Sequence, residues 1–240
     1  MSFLIGTSYF NGGSCDSFAA RFMPVWAASI ARQAATQKPK KVIITGVGDS
    51  CKPAVHQPLH DICEVLWVPS EENLGHVENL LGKREPKSDH QYCGWSTDIL
   101  TLALLAYREN ADLVFCEQDC LLFGDCIGRM YRDIGNRGMV FGSFIENGRH
   151  RMECAQSLFL VRHWCLPRFV HDYISLGDDR DVSRLPENKF AKMEKTWPNL
   201  YGRHSIPGDR ARPIRLDVLP CSYQQITPEE LEWLKQKGAV

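Results

Sequence analysis

Residues 112–123 read DLVFCEQDCLLF: an apolar run, two carboxylates two residues apart, then a second apolar run. Side chains at i and i+2 of an extended strand share a face. Glu117 and Asp119 are therefore expected to converge at the end of a strand whose neighbours suit a buried sheet. Two buried like charges repel, so something positive is expected between them. A divalent cation, which takes hard oxygen ligands, is the simplest candidate. The competing reading is a solvated strand end that happens to be acidic.

The surrounding pattern alternates strands with helices. Residues 3–7, 41–46 (KVIITG), 65–69 (VLWVP) and 113–116 read as short apolar or β-branched strands. Between them, 18–35 is alanine-rich with helical spacing and Pro24 near its first turn, 73–81 suits a short helix, and an NGGS turn falls at 11–14. The strongest helix spans 96–109, with Ser96 or Thr97 as N-cap and Asp98 in its first turn. Strands joined by helical crossovers imply a parallel, doubly wound sheet, and such sheets bind ligands at the carboxyl ends of their strands. Glu117 and Asp119 fall at one such end, as do Thr7, Asp49 and Ser70. That placement favours a chemical role for the acidic pair.

Later in the chain, 139–144 and 157–161 suit strands and 164–174 a helix. The polar stretch 177–188 (GDDRDVSRLPEN) and the basic stretch 201–213 (YGRHSIPGDRARP) show no apolar periodicity and read as loops of the length that binding elements use. Thr227-Pro228-Glu229-Glu230 has the form of a capping box and opens a final short helix.

Composition narrows the classes. At 240 residues the chain suits one large domain, and a net charge of -1 leaves no basic excess to suggest nucleic acid. The apolar run at 99–107 is too short to span a bilayer, and the first residues lack the basic region of a signal peptide. Ten cysteines without a CxxC pair read as mostly reduced thiols of a cytoplasmic protein. His56, His60 and Cys63 would share a helical face, but Pro58 interrupts it and no fourth zinc ligand is evident. The chain has no P-loop, and Gly46-Val47-Gly48 fails the dinucleotide fingerprint. Cys93 or Cys116 would need a paired base to act as a nucleophile.

The order of strand, TSYFN turn, strand, strand, apolar helix and acid-x-acid motif resembles the GT-A fold of nucleotide-sugar glycosyltransferases. GWSTDILTLALLAYRENADLVFCEQDCLLF, residues 94–123, carries most of the resemblance, with CEQDC as an ExD variant of the DxD motif. SLFLVRHWCLPRF, residues 157–169, resembles the acceptor-side strand and helix. The likeness spans roughly 3–169 at the level of pattern. It implies an α/β domain over 1–240 with a mostly parallel central sheet flanked by helices. Residues 1–125 would bind the nucleotide sugar and 126–240 the acceptor.

A nucleotide-sugar donor loses a nucleoside diphosphate, so charge builds on the leaving phosphate, and a bound Mg²⁺ or Mn²⁺ stabilises it. The resemblance implies Asp119 as the main metal ligand, with Glu117 binding the metal through water or the ribose. It sets Thr7 and Asp49 toward the nucleoside and Asp98 toward the donor sugar. Arg203 and His204 would hold the diphosphate or complete the metal shell. An inverting reaction also needs a base to deprotonate the acceptor, a saccharide or glycoconjugate hydroxyl. The candidates are Asp179, Asp181, Glu187 and Glu194, with Glu187 preferred at the change from polar loop to helix. Trp95 and Trp197 suit either sugar stacking or packing. Two alternatives from other classes are a sugar nucleotidyltransferase, whose glycine-rich basic signature is missing, and a non-catalytic carbohydrate- or nucleotide-binding relative.

Overall fold

The computed structural model of the chain describes residues 2–9, 18–47, 57–70, 91–146, 149–180, 185–210 and 212–240. Strands β1 (Phe3–Tyr9), β2 (Lys41–Val47), β3 (Glu64–Ser70) and β4 (Asp112–Cys116) run parallel in the order β3-β2-β1-β4. Helices α1 (Phe18–Ala34), α2 (Gln57–His60) and α3 (Gly94–Arg108) lie in the connections between them.

After β4 come β5 (Leu121–Phe123), α4 (Cys126–Ile134), β6 (Met139–Glu146) and β7 (Arg149–Val161). β7 inserts antiparallel between β4 and β6. A 3-10 turn at His163–Cys165 leads into α5 (Leu166–Ser175) and α6 (Pro186–Thr196), and β8 (Tyr201–Arg203) closes the edge parallel to β6. The result is one seven-stranded sheet in which only β7 runs against the rest. Both halves of the chain contribute strands to it.

Strand alternation builds a core on each face. Phe3, Ile5, Val42, Ile44, Val114 and Cys116 pack with residues of α1, α4 and the last helix, α7 (Pro228–Gln236). Leu4, Ile43, Leu113 and Phe115 face the other way, onto α3, α5 and α6. A Cβ at Gly6 would sit 2.8 Å from a Leu102 methyl, so the glycine lets α3 lie close over β1. One turn before Leu102, that close approach brings Asp98 onto the end of β1.

Two expectations change here. Helix α3 begins at Gly94 with Cys93 as its N-cap and no side-chain cap, so neither Ser96 nor Thr97 caps it and Asp98 lies beyond the first turn. The stretch 201–213 is not one loop: it contains β8 and the short β9 (Gly208–Asp209). β9 joins β10 (Cys221–Tyr223) and β5 in a second, three-stranded sheet. The capping box forms as read, with Thr227 accepting from the Glu230 N–H and Glu230 accepting from the Thr227 N–H. The 73–81 helix and the 11–14 turn lie outside the described residues. Among the described residues, no helix is long and apolar enough to cross a membrane.

Candidate active site at the carboxyl end of the sheet

β4 stops at Cys116, and Glu117 to Cys120 form a turn closed by the Cys120 N–H on the Glu117 carbonyl at 2.9 Å. The two carboxylates therefore sit on this turn rather than on an extended strand, and the Gln224 amide hydrogen-bonds both. Chain register then supplies their neighbours. In the small sheet Tyr223 pairs antiparallel with Leu121 and parallel with Asp209. One step further, Gln224 falls opposite Cys120 on one side and beside Arg210 on the other. Only glycine fits at 208, because its φ is +118° and a Cβ would meet the Ser222 carbonyl oxygen at 2.1 Å.

Gln224 is 4% exposed. Its Nε2 donates to Glu117 Oε2 at 2.5 Å, and its Oε1 accepts from Arg210 Nε at 3.3 Å. Arg212 Nη2 donates to the Gln224 and Gln225 carbonyls at 2.9 and 3.1 Å. Burial raises the Asp119 carboxyl above its usual range, offset in part by Gln224, by the Arg210 charge and by backbone hydrogen bonds at Asp119 and Gln225. Even so, Asp119 Oδ1 is shut off from solvent with no hydrogen-bond partner among the described residues. A buried acceptor left open beside a second carboxylate suits a hard cation.

The described residues contain no group of three or more His, Cys, Asp or Glu side chains that could hold a metal. Two carboxylates still match the donor set of a Mg²⁺ or Mn²⁺ site that takes its remaining ligands from substrate phosphate and water.

A second polar cluster sits at the same end, over β1 and β2. Ser8 Oγ donates to Asp98 Oδ2 at 2.5 Å, and Thr45 also hydrogen-bonds this carboxylate. Burial pushes the Asp98 carboxyl up to about 6 against those bonds. Thr7 is buried, and its carbonyl accepts from Thr45 Oγ1 at 3.1 Å. Tyr9, the last residue of β1, stands edge-on to Trp67 at 5.6 Å. Its buried hydroxyl has no hydrogen-bond partner among the described residues. Asp49 lies outside those residues, and Ser70 ends β3.

The other expected residues are engaged elsewhere. His204 accepts from the Ile206 N–H through Nδ1 at 3.3 Å, so its Nε2 donates to the Leu158 carbonyl at 3.2 Å. Both nitrogens are occupied, and burial lowers its pKa to about 4, so it does not join the acidic pair as a ligand. Arg203 ends the edge strand, where Glu194 binds it at 2.9 Å and its Nη1 donates to Ser143 Oγ at 3.2 Å. That ion pair also takes Glu194 off the list of free bases.

Asp179 is fully buried: Oδ1 binds Lys189 Nζ at 2.7 Å, and Oδ2 accepts from the Cys93 N–H at 3.0 Å. It is a structural anchor without a free oxygen to act as a base. It also holds the start of the 177–188 stretch down. Asp181 lies outside the described residues. Glu187 is the second residue of α6, half-buried and close enough to Tyr173 to act on it electrostatically. Trp95 packs on Phe115 and Phe190, and Trp197 lies against Tyr201 and beneath Arg168. Burial raises the Cys93 thiol to about 12, which removes it as a nucleophile. His60 is exposed, and His56 lies outside the described residues.

Sequence reading missed Gln224, Arg210, Ser8, Thr45 and Tyr9. Ser8 and Tyr9 follow Thr7, already singled out at the end of β1, and extending that strand by two residues would have found them; Thr45 lies inside the expected 41–46 strand. Nothing local marks Gln224, because it reaches the acidic pair through pairing across about a hundred residues of chain.

No family model matches the chain, and no curated protein matches it in sequence. Solved structures do match in shape. Apo mouse xyloside xylosyltransferase 1 superposes with a TM-score of 0.56 at 10% identity, covering 93% of this chain and 97% of that one. The apo glycosyltransferase GlyE of Streptococcus pneumoniae TIGR4 gives 0.57 at 8% identity, over 95% of this chain but 55% of its own. A Bacillus anthracis protein assigned as a glucose-1-phosphate thymidylyltransferase, crystallised with sucrose, gives 0.54 at 9% identity over 100% and 96%. The mixed α/β architecture and its mostly parallel sheet agree with these likenesses, and the chain has a GT-A-type fold.

Proposed function

We propose that the chain is a metal-dependent glycosyltransferase, moving a sugar from a nucleoside-diphosphate donor to a saccharide or glycoconjugate hydroxyl. The observation that carries this reading is the open, buried Oδ1 of Asp119 beside Glu117 at the end of β4 in a GT-A fold. Asp119 and Glu117 would hold Mg²⁺ or Mn²⁺, which neutralises charge on the departing diphosphate when bound. The Arg210 guanidinium, beside the pair, adds positive charge for the same phosphates. Asp98, set by Ser8 and Thr45, offers a carboxylate to donor hydroxyls, while Thr7 and Tyr9 line the nucleoside side at the end of β1. Asp49 belongs to the same expected side by resemblance.

For an inverting reaction, Glu187 is the base we assign, because it stands in the first turn of α6, at the change from polar loop to helix where the resemblance sets the base. It would accept the acceptor's hydroxyl proton as the oxygen attacks the anomeric carbon and the diphosphate leaves. A second reading, sugar nucleotidyltransferase, is favoured by near-complete mutual coverage with the thymidylyltransferase-like structure. The products separate them. Incubation with a panel of nucleoside-diphosphate sugars and Mn²⁺ is expected to release nucleoside diphosphate slowly, with release lost in Asp119→Asn. Pyrophosphate formed from a nucleoside triphosphate and a sugar phosphate, with no donor hydrolysis, would replace the first reading with the second.

A further inference from the structure

We infer that Gln224 stands in for the cation in the ligand-free protein and must turn its carboxamide away before a cation can enter between Glu117 and Asp119. This rests on the cation reading of that pair. The amide is held on three sides: β5 and β9 fix its backbone by register, and burial leaves its side chain only protein partners. Its orientation follows from chemistry. Glu117 can only accept a hydrogen bond and the Arg210 guanidinium can only donate one, so Nε2 must face the carboxylates and Oε1 must face Arg210. An amide NH₂ partly neutralises the acidic pair, yet it leaves Asp119 Oδ1 open.

A dication between the carboxylates inverts the requirement, because it repels N–H donors and attracts an oxygen. Turning the amide over would present Oε1 to the cation and NH₂ to Arg210, two donors face to face. Arg210 therefore has to leave Gln224 when the cation arrives, and a diphosphate is the acceptor that can take it. Gln224 thus links cation entry to diphosphate binding. Cation alone binds against a charge-assisted hydrogen bond, whereas cation with diphosphate gives every group a partner.

Gln224→Met keeps the length and burial of the side chain but removes both amide groups. Mn²⁺ binding, read from the electron paramagnetic resonance of the free ion, is measured without nucleotide and then with a mixture of UDP, GDP, ADP, CDP and dTDP. The nucleotide-free Kd for Mn²⁺ is expected to fall about tenfold in the variant, the scale of one charge-assisted hydrogen bond. The further tightening brought by the diphosphates should shrink to match. Asp119→Asn supplies the baseline for Mn²⁺ bound elsewhere. A variant that binds nucleotide-free Mn²⁺ no more tightly than the parent overturns the inference. A parent that binds no Mn²⁺ with or without nucleotide fails earlier, at the cation reading, and takes the inference with it.

If Gln224→Met does not fold, Gln224→Glu gives the same decision through melting temperature. A third acceptor should lower Tm without Mn²⁺ and enlarge the rise on adding it. A rise no larger than the parent's overturns the inference.

Discussion

Two clusters of charge, one around Asp179 and one around Asp119, are finished to different degrees. Around Asp179 every group has its complement. Lys189 binds one oxygen and the Cys93 N–H the other, the Lys189 ammonium lies 4.3 Å from the Tyr173 ring centre, and Ser96 meets the Tyr173 hydroxyl at 2.6 Å. Around Asp119, two carboxylates share the Gln224 amide, and one buried oxygen has no hydrogen-bond partner among the described residues. A closed network stabilises a particular packing, here the junction of α3, the 177–180 stretch and α6. An open one holds energy that only a ligand can release. That difference, rather than acidity, separates scaffold from candidate site.

The largest expected effect lies in the closed cluster. Lys189→Met leaves Asp179 buried and uncompensated, so unfolding free energy should fall by about 3–5 kcal/mol in chemical denaturation. Adding Asp179→Leu should restore much of that loss, because an apolar pair needs no compensation. A small loss in the single variant would mean that the cluster is not closed as described.

Next in size is Glu187→Gln. Turnover should drop by roughly a hundredfold with donor affinity little changed, as for a lost general base. Steady-state kinetics with a fixed donor decides it. Full activity would move the base to Asp181 or argue against an inverting route through this segment.

Asp98 gives a smaller, pH-dependent effect. Burial pushes its carboxyl from the ordinary 3.8 up to about 6 in the fold, so the folded state holds the proton more tightly. The associated stability is full below pH ~4 and is lost as pH rises through about 6. Asp98→Asn should therefore be more stable than the parent at pH 7 by on the order of 2 kcal/mol, and equal to it at pH 4. A gain of the same size at both pH values would assign the effect to packing instead.

The contrast between the clusters also marks what sequence reading can reach. The β-branched run at 41–46 and the apolar run at 113–116 announce strands through local pattern, and both lie where they were expected. Asp98 shows where pattern misleads. It reads as a first-turn acid, but α3 starts at Gly94, and the side chain meets Ser8 and Thr45 instead. The acids of 177–188 look alike in sequence. Only folding shows that Asp179 is locked against Lys189, a residue ten positions on. Gln224 is the extreme case: a polar residue after a three-residue strand, given its neighbours by pairing with β5 and β9. Partners brought together by long-range register leave no trace in a local window.

The most direct test compares melting temperatures of the parent and Asp119→Asn, each with and without Mn²⁺ plus a nucleoside diphosphate. The parent's Tm should rise by roughly 5–10 °C at saturating ligand. Asp119→Asn, which relieves a buried carboxylate, should melt at or above the parent's temperature without ligand and show no rise with it. An Asp119→Asn protein that gains the same increment, or that loses several degrees before any ligand is added, would contradict the account.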